Sequence, residues 1–114
     1  MRKLYYVLFI SLFALITTET SAQNTYVPDD NFEQALINLG YDTGVLDDYV
    51  PTVNISGITS LDVHSKNISD LTGIEDFDAL TELYCYTNQL TNLDVSAKIN
   101  LIKLKTIRRV KFTI

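Results

Sequence analysis

Apolar residues in the second half of this chain recur with a period in the low twenties. Aligning ITSLDVHSKN (58–67) with LTELYCYTNQ (80–89) places Ile58 on Leu80, Leu61 on Leu83 and Val63 on Cys85, and then Ile68 on Leu90, an offset of 22 residues. LTNLDVSAKIN (90–100) repeats the first string as an interleaved half-unit carrying Leu93, and Leu101 restarts the cycle 21 residues after Leu80. Self-similarity at this period marks a solenoid, whose units bury their apolar faces only against neighbouring units. Alternation within each unit predicts a short strand with Leu83 and Cys85 inward and Glu82, Tyr84 and Tyr86 outward. Asn88 follows at a turn, where an amide can satisfy backbone groups that would otherwise be buried without partners. The first unit has Lys66 there and Asn67 one residue late, so its turn is expected to be irregular.

Upstream the period changes to that of a helix. Phe32, Ala35, Leu36 and Leu39 fall at i, i+3, i+4 and i+7, with Glu33, Gln34 and Asn38 off the stripe. Asp30 and Glu33 have capping-box spacing, Pro28 lies just before and Gly40 closes the end, so a helix is predicted over 31–39. YDTGVLDDYVPTVNISG (41–57) reads as a loop. Asp42, Asp47 and Asp48 within it lack the alternating ligand spacing of an EF-hand, and the expectation is a solvated turn without metal. At the start, Arg2 and Lys3 precede the apolar run LYYVLFISLFALI (4–16), too short to cross a bilayer. With small residues at Thr20-Ser21-Ala22, this reads as a signal peptide cleaved after Ala22, against the alternative of a retained anchor. No cysteine follows the run, which argues against a lipid anchor.

Charge sharpens the division. Thirteen acidic residues stand against the single base Lys66 between Gln23 and Ala97, whereas 98–114 carries six bases and no acid. Cys85 is the only cysteine and His64 the only histidine, so neither an internal disulfide nor a Cys/His metal site is expected. Cys85 fills a position suited to a medium-sized apolar side chain, and a core role is expected over an activated thiol.

The string LYCYTNQLTNLDVS (83–96) resembles the L-x-x-L-x-C-x-x-N-Q-L-x-x-L-D-V-S repeat of bacterial extracellular leucine-rich-repeat proteins with internalin-like architecture. VPDDNFEQALINLGYD (27–42) resembles their helical N-terminal cap, and KNISDLTGIEDFDAL (66–80) their first repeat. The resemblance covers 26–97 and implies an α/β solenoid with a helical cap and short parallel strands. The organisation expected is a signal peptide (1–22), cap and loop (23–57), about two repeat coils (58–101) and a basic tail (102–114). The ladder residues are Ile58, Leu61, Val63, Leu80, Leu83, Cys85, Asn88, Leu90 and Leu93.

The tail departs from the pattern. Leu104 fits, but Thr106, Arg109 and Lys111 fall where Leu or Cys, Asn and Leu belong, and burying unpaired charges there is costly. The tail as written therefore should not continue the ladder. A frameshift or premature end of a longer gene is the preferred explanation, ahead of a capping strand with Val110, Phe112 and Ile114 on one face, and of a basic arm.

Function is expected to lie in display. Ser60, Asp62 and His64 of the first coil should lie beside Glu82, Tyr84 and Tyr86 of the second, a face whose tyrosines and carboxylates suit an extracellular protein or carbohydrate ligand. The same residues could equally be ordinary exposed strand positions. No phosphate loop, H-E-x-x-H, G-x-S-x-G or second histidine is present, and Asp62 with Glu82 on an open face is a poor glycosidase pair, so an enzyme is not expected. No cofactor and no nucleic acid is expected, and membrane contact only during export. The alternatives are a non-functional truncated product or a non-catalytic appendage of a secreted hydrolase.

Overall fold

A computed structural model describes residues 22–94, 103–105 and 111–113. β1 (Asn24–Tyr26) pairs antiparallel with β2 (Tyr49–Pro51), and α1 (Asp30–Asn38) lies between them in sequence. A single-turn helix α2 (Thr52–Ile55) follows β2 directly. The repeats then supply β3 (Ser60–Asp62), a 3₁₀ turn (Ile74–Asp76), β4 (Glu82–Tyr84), β5 (Asn92–Asp94), β6 (Lys103–Lys105) and β7 (Lys111–Thr113). Strands β3, β4 and β6 form one parallel sheet in that order, and β5 pairs parallel with β7.

α1 starts one residue earlier than its apolar spacing suggests, and Asp29 rather than Asp30 caps it. Asp29 Oδ1 accepts the N–H groups of Asn31 (2.9 Å) and Phe32 (3.0 Å), so the Asp30–Glu33 capping box does not form. Glu33 turns inward instead and is fully buried. Phe32, Ala35 and Leu36 are buried as the stripe requires, while Leu39 is 44% exposed because the helix ends there. Gly40, at φ +87°, donates to Ile37 O, and Tyr41 donates to Leu36 O, a Schellman ending that needs a residue free to take positive φ.

The cap is joined to the repeats by both polar and apolar contacts. Asp29 Oδ2 accepts from Ser69 N (2.9 Å) and Asp70 N (3.0 Å), so one carboxylate caps the helix and fastens it to the first repeat. Phe32 stacks against Phe77 with centroids 6.3 Å apart. Thr25, 2% exposed, is joined to Thr52 and donates to Asp76 Oδ2, both at 2.8 Å. Gly73 lies where β1 passes the 3₁₀ turn. It has φ +107°, and a Cβ there would come within 2.8 Å of Tyr26 O and Val27 Cγ2.

The sequence period becomes register. Ser60, Leu61 and Asp62 pair with Glu82, Leu83 and Tyr84, an offset of 22, and these pair with Lys103, Leu104 and Lys105, an offset of 21. Leu61, Val63, Ile68, Leu80, Leu83, Cys85, Leu90 and Leu93 are all buried, while Ile58 and Leu104 pack partly buried against them. Even the backbone repeats, since Ser65 and Thr87 take positive φ at equivalent places, 55° and 56°. Asn88 links the coils: its Oδ1 accepts from Lys66 N (2.9 Å) and Ile68 N (3.1 Å), and its Nδ2 donates to Val63 O (2.8 Å) and Cys85 O (3.0 Å).

Three expectations are corrected. Residues 41–57 are not all loop, because β2 finds a partner in β1 and α2 follows it, and neither has enough periodic residues to be visible alone. Residues 103–105 do extend the ladder, because a three-residue strand needs one inward apolar residue, Leu104, and places its lysines at the register of Glu82 and Tyr84. Lys111 does not take the place of a ladder leucine: β7 pairs with β5 at an offset of 19, which puts Phe112 on Leu93 and Lys111 on exposed Asn92. Thr106, Arg109, Val110 and Ile114 lie outside the described residues, as do residues 1–21, most of the expected signal peptide 1–22. Among the described residues no helix is long and apolar enough to cross a membrane.

Two substitutions test this framework. Asn88→Ala should lower stability by about 2–4 kcal/mol in urea unfolding, because it leaves backbone groups of two coils without partners. Gly73→Ala should lose more than about 2 kcal/mol, from the left-handed backbone penalty and the approach to Tyr26 O together.

Candidate binding face

Short parallel strands present alternate side chains outward in columns, one residue per strand. The first column holds Ser60 and Glu82, with the Lys103 backbone next in register, and the second holds Asp62, Tyr84 and Lys105. His64 and Tyr86 follow just past the strand ends. Ser60 and Asp62 are exposed, and His64, Glu82, Tyr84 and Tyr86 are half-buried. All six residues expected on this face thus lie on neighbouring coils, and the inward residues between them hold the backbone against the core.

The side chains are ordered by contacts among themselves. The His64 ring stacks on Tyr86 with centroids 4.7 Å apart and planes 7° from parallel. His64 Nδ1 donates to the Asp62 carboxylate, which also accepts from His64 N at 3.2 Å. Because an ionised carboxylate only accepts, Nδ1 carries the proton in this contact. Desolvation pushes the Asp62 carboxyl upward, but the ring and backbone hydrogen bonds of His64, with the charges of His64 and Lys66, outweigh it and hold it below the usual range. Tyr84 donates its hydroxyl to Glu82 Oε2 at 2.7 Å.

Sequence reasoning missed Lys105 as a member of this face. Its Nζ lies 5.9 Å from the Tyr84 ring centroid, at the outer limit of a cation–π contact. The signal was available, since Lys105 follows Tyr84 by the period of 21, but the broken pattern of the tail obscured it. The face therefore carries both signs of charge around a central ring.

Cys85 points into the core and is 1% exposed, whereas His64 is engaged by Asp62 and Tyr86 on the outer face, so the thiol is packing material. A cleft of about 310 Å³ is lined by Asp70, Leu71, Thr72, Ile74, Glu75, Asn92, Leu93 and Asp94 and shares no residue with the face. Asp70 Oδ1 accepts from Thr72 N and Thr72 Oγ1 there, and Glu75 Oε2 accepts from Gly73 N, which are local turn bonds.

The loop acids differ from a solvated turn. Asp42 is 7% exposed and Glu33 is fully buried, with Glu33 Oε1 and Oε2 accepting from Asp47 N (2.8 Å) and Asp48 N (3.0 Å). Desolvation is the largest influence on the Glu33 carboxyl and, with the Asp47 carboxylate, holds it above its usual range despite those two donors. Folding wraps the loop around a helical carboxylate, so the acids are brought together by α1, which spacing within the loop could not reveal.

No family model matches the chain. Internalin J of Listeria monocytogenes serotype 4b is 36% identical over 78 residues, a match covering 68% of this chain and 8% of that protein. Among solved structures, the functional domain of InlJ from Listeria monocytogenes, which includes a cysteine ladder, aligns over 85% of this chain and 26% of its own, with a TM-score of 0.61 and 27% identity. The CBM51-2 and INT domains of Clostridium perfringens ZmpB share the fold over 77% of this chain and 18% of theirs, with a TM-score of 0.62 and 21% identity. The chain thus spans a small part of each relative. With its capped helix, its 22-residue strand register and the inward cysteine at Cys85, it is an internalin-like leucine-rich-repeat protein.

Proposed function

We propose that this chain is an extracellular bacterial binding module, a capped solenoid whose β3–β4–β6 face docks a partner protein. The observation that supports the reading best is the ordering of the face before any partner arrives. Side chains already held by the His64–Tyr86 stack and the Tyr84–Glu82 hydrogen bond lose little rotamer freedom on docking, which removes part of the entropic opposition to association. Tyrosines beside both signs of charge suit a protein surface, where rings supply buried area and charges supply orientation. A glycan would use the same rings differently, stacking on their faces. The leader-like segment 1–22 supports export, and the likeness to internalin J supports a bacterial surface setting.

The reading treats the chain as non-enzymatic, because the face offers no enclosed site from which water is excluded. The inward position of Cys85 is compatible with a ladder of the kind present in InlJ, here with one cysteine at the β4 level.

Tyr84→Ser together with Tyr86→Ser should leave the unfolding midpoint within a few degrees of the parent and weaken capture on arrays of extracellular host proteins at least tenfold. Capture that ignores both changes would place the docking surface elsewhere, and binding confined to a glycan array would replace the protein partner by a carbohydrate. His64→Ala should raise the Asp62 carboxyl toward its ordinary value near 3.8, followed by carboxyl NMR titration. The sign follows from linkage: a depressed folded value means that the pair contributes above the ordinary carboxylate range and is lost as pH falls through the depressed value.

A further inference from the structure

We propose that the outer face of the β1–β2 ribbon in the cap is a second docking surface, and that its occupant is an extended segment of a partner protein with arginine at alternate positions. Strand alternation puts Thr25 and Val50 inward, 2% and 0% exposed, and leaves Tyr26 and Tyr49 outward, 51% and 47% exposed. The two tyrosines are a cross-strand pair with ring centroids 5.6 Å apart and planes 46° from parallel. Val45 and Leu46, in the loop that leads into β2, are exposed as well, and none of these four side chains belongs to the hydrophobic core. Exposed apolar side chains that meet, as these rings do, mark a contact site in a way that ones scattered singly do not.

The ribbon is held from behind. Thr25 Oγ1 bonds to Thr52 Oγ1 and donates to Asp76 Oδ2, and Gly73 packs closely enough under Tyr26 O to exclude a Cβ. The rings therefore stand on a fixed backbone, and little conformational freedom is lost when a partner seats on them.

Charge selects the occupant. Residues 23–57 carry six acids and no lysine, arginine or histidine. Asp47 is exposed, and its Oδ1 accepts from Tyr49 N at 3.0 Å, which fixes that carboxylate beside the strand that bears the ring. At the other end of β2 lies a shallow hollow of about 380 Å³ whose lining includes Gln23, Pro51, Val53 and Asp78. Each end of the outer face thus offers a carboxylate next to apolar surface. A guanidinium uses both, since it stacks on a tyrosine ring and presents a fork of donors to a carboxylate. The same carboxylates repel nucleic acid and anionic lipid.

Spacing adds a second constraint. Tyr49 and Pro51 point to the same side of β2 about 6.6 Å apart along the strand, which is also the separation of alternate side chains in an extended peptide. In a segment running along β2, one arginine over the tyrosine pair brings the next to the hollow beside Pro51 and Asp78.

The test is fluorescence anisotropy of a labelled peptide with arginine at every second position among glycines, titrated with the whole chain at about 0.15 M salt, where distant exposed charges are screened. This peptide should bind at least fivefold more tightly than an isomer with its arginines contiguous, and than its lysine counterpart. Tyr26→Ser together with Tyr49→Ser should weaken binding at least tenfold while the unfolding midpoint stays within a few degrees. Should that variant fail to fold, Asp47→Asn together with Asp78→Asn takes its place, with the same loss expected. Tyr84→Ser together with Tyr86→Ser removes rings from the repeat face instead, and should leave the peptide affinity within about twofold. Equal affinity for the contiguous or the lysine peptide, or an affinity that ignores the loss of Tyr26 and Tyr49, reduces the interaction to diffuse attraction between unlike charges and overturns the proposal. A parent that binds no peptide, with a serine pair that only lowers the midpoint, also overturns it, since the rings then serve the ribbon alone. A loss that follows Tyr84 and Tyr86 instead places the peptide on the repeat face and overturns it too.

Discussion

Strands of three residues cannot hold a structure by their own hydrogen bonds, and the Asn88 amide supplies what they lack. A parallel coil spends most of its length in turns, where backbone groups face inward with no ladder to join. Asn88 uses both kinds of hydrogen-bonding capacity to close that gap, accepting from Lys66 N and Ile68 N and donating to Val63 O and Cys85 O. It thereby fixes the separation between one coil and the next. The register of Leu61 on Leu83, and with it the direction of every outward residue, follows from that separation.

Asp29 performs the related task at the junction of cap and repeats. α1 lies against the turn that follows the first strand of the repeats, with Asn31 donating to Asn67 O and Phe32 stacked on Phe77. Fastening the helix requires its N-terminal donors and the turn donors of Ser69 and Asp70 to be answered together, and a single carboxylate with two oxygens answers both sets. Packing of Phe32 on Phe77 then supplies the apolar part of the contact. Polar precision at the turns and apolar burial between them act on the same few residues, so the cap and the ladder are one cooperative core.

What could be read from the sequence was what repeats. Leu61, Leu83, Val63 and Cys85 declare themselves because their environment recurs every 22 residues, and each recurrence is another reading of the same constraint. The helix was visible for the same reason, through its 3.6-residue period. Elements without recurrence were not visible: β1 and β2 each have three residues and exist because they meet each other. Glu33 was misplaced because amphipathic patterning assigns a carboxylate to solvent, whereas folding brings the Asp47 and Asp48 N–H groups to it. The six candidate face residues could be named from alternation alone, but the His64–Tyr86 stack and the approach of Lys105 to Tyr84 depend on side-chain directions across coils, which a linear pattern does not contain.

The same division separates the residues that can vary from those that hold the scaffold. Inward positions are confined by packing on all sides, where the loss of a few methylenes is felt at once. Outward positions meet other outward residues along the strand and across the column, as Asp62 meets His64 and Tyr84 meets Glu82, so they can change in charge or size with little effect on the ladder beneath them. Chemistry on the face is therefore set column by column, one residue from each coil. Because the coil separation is held by turn hydrogen bonds rather than by the face itself, the spacing of the columns is independent of the residues that fill them.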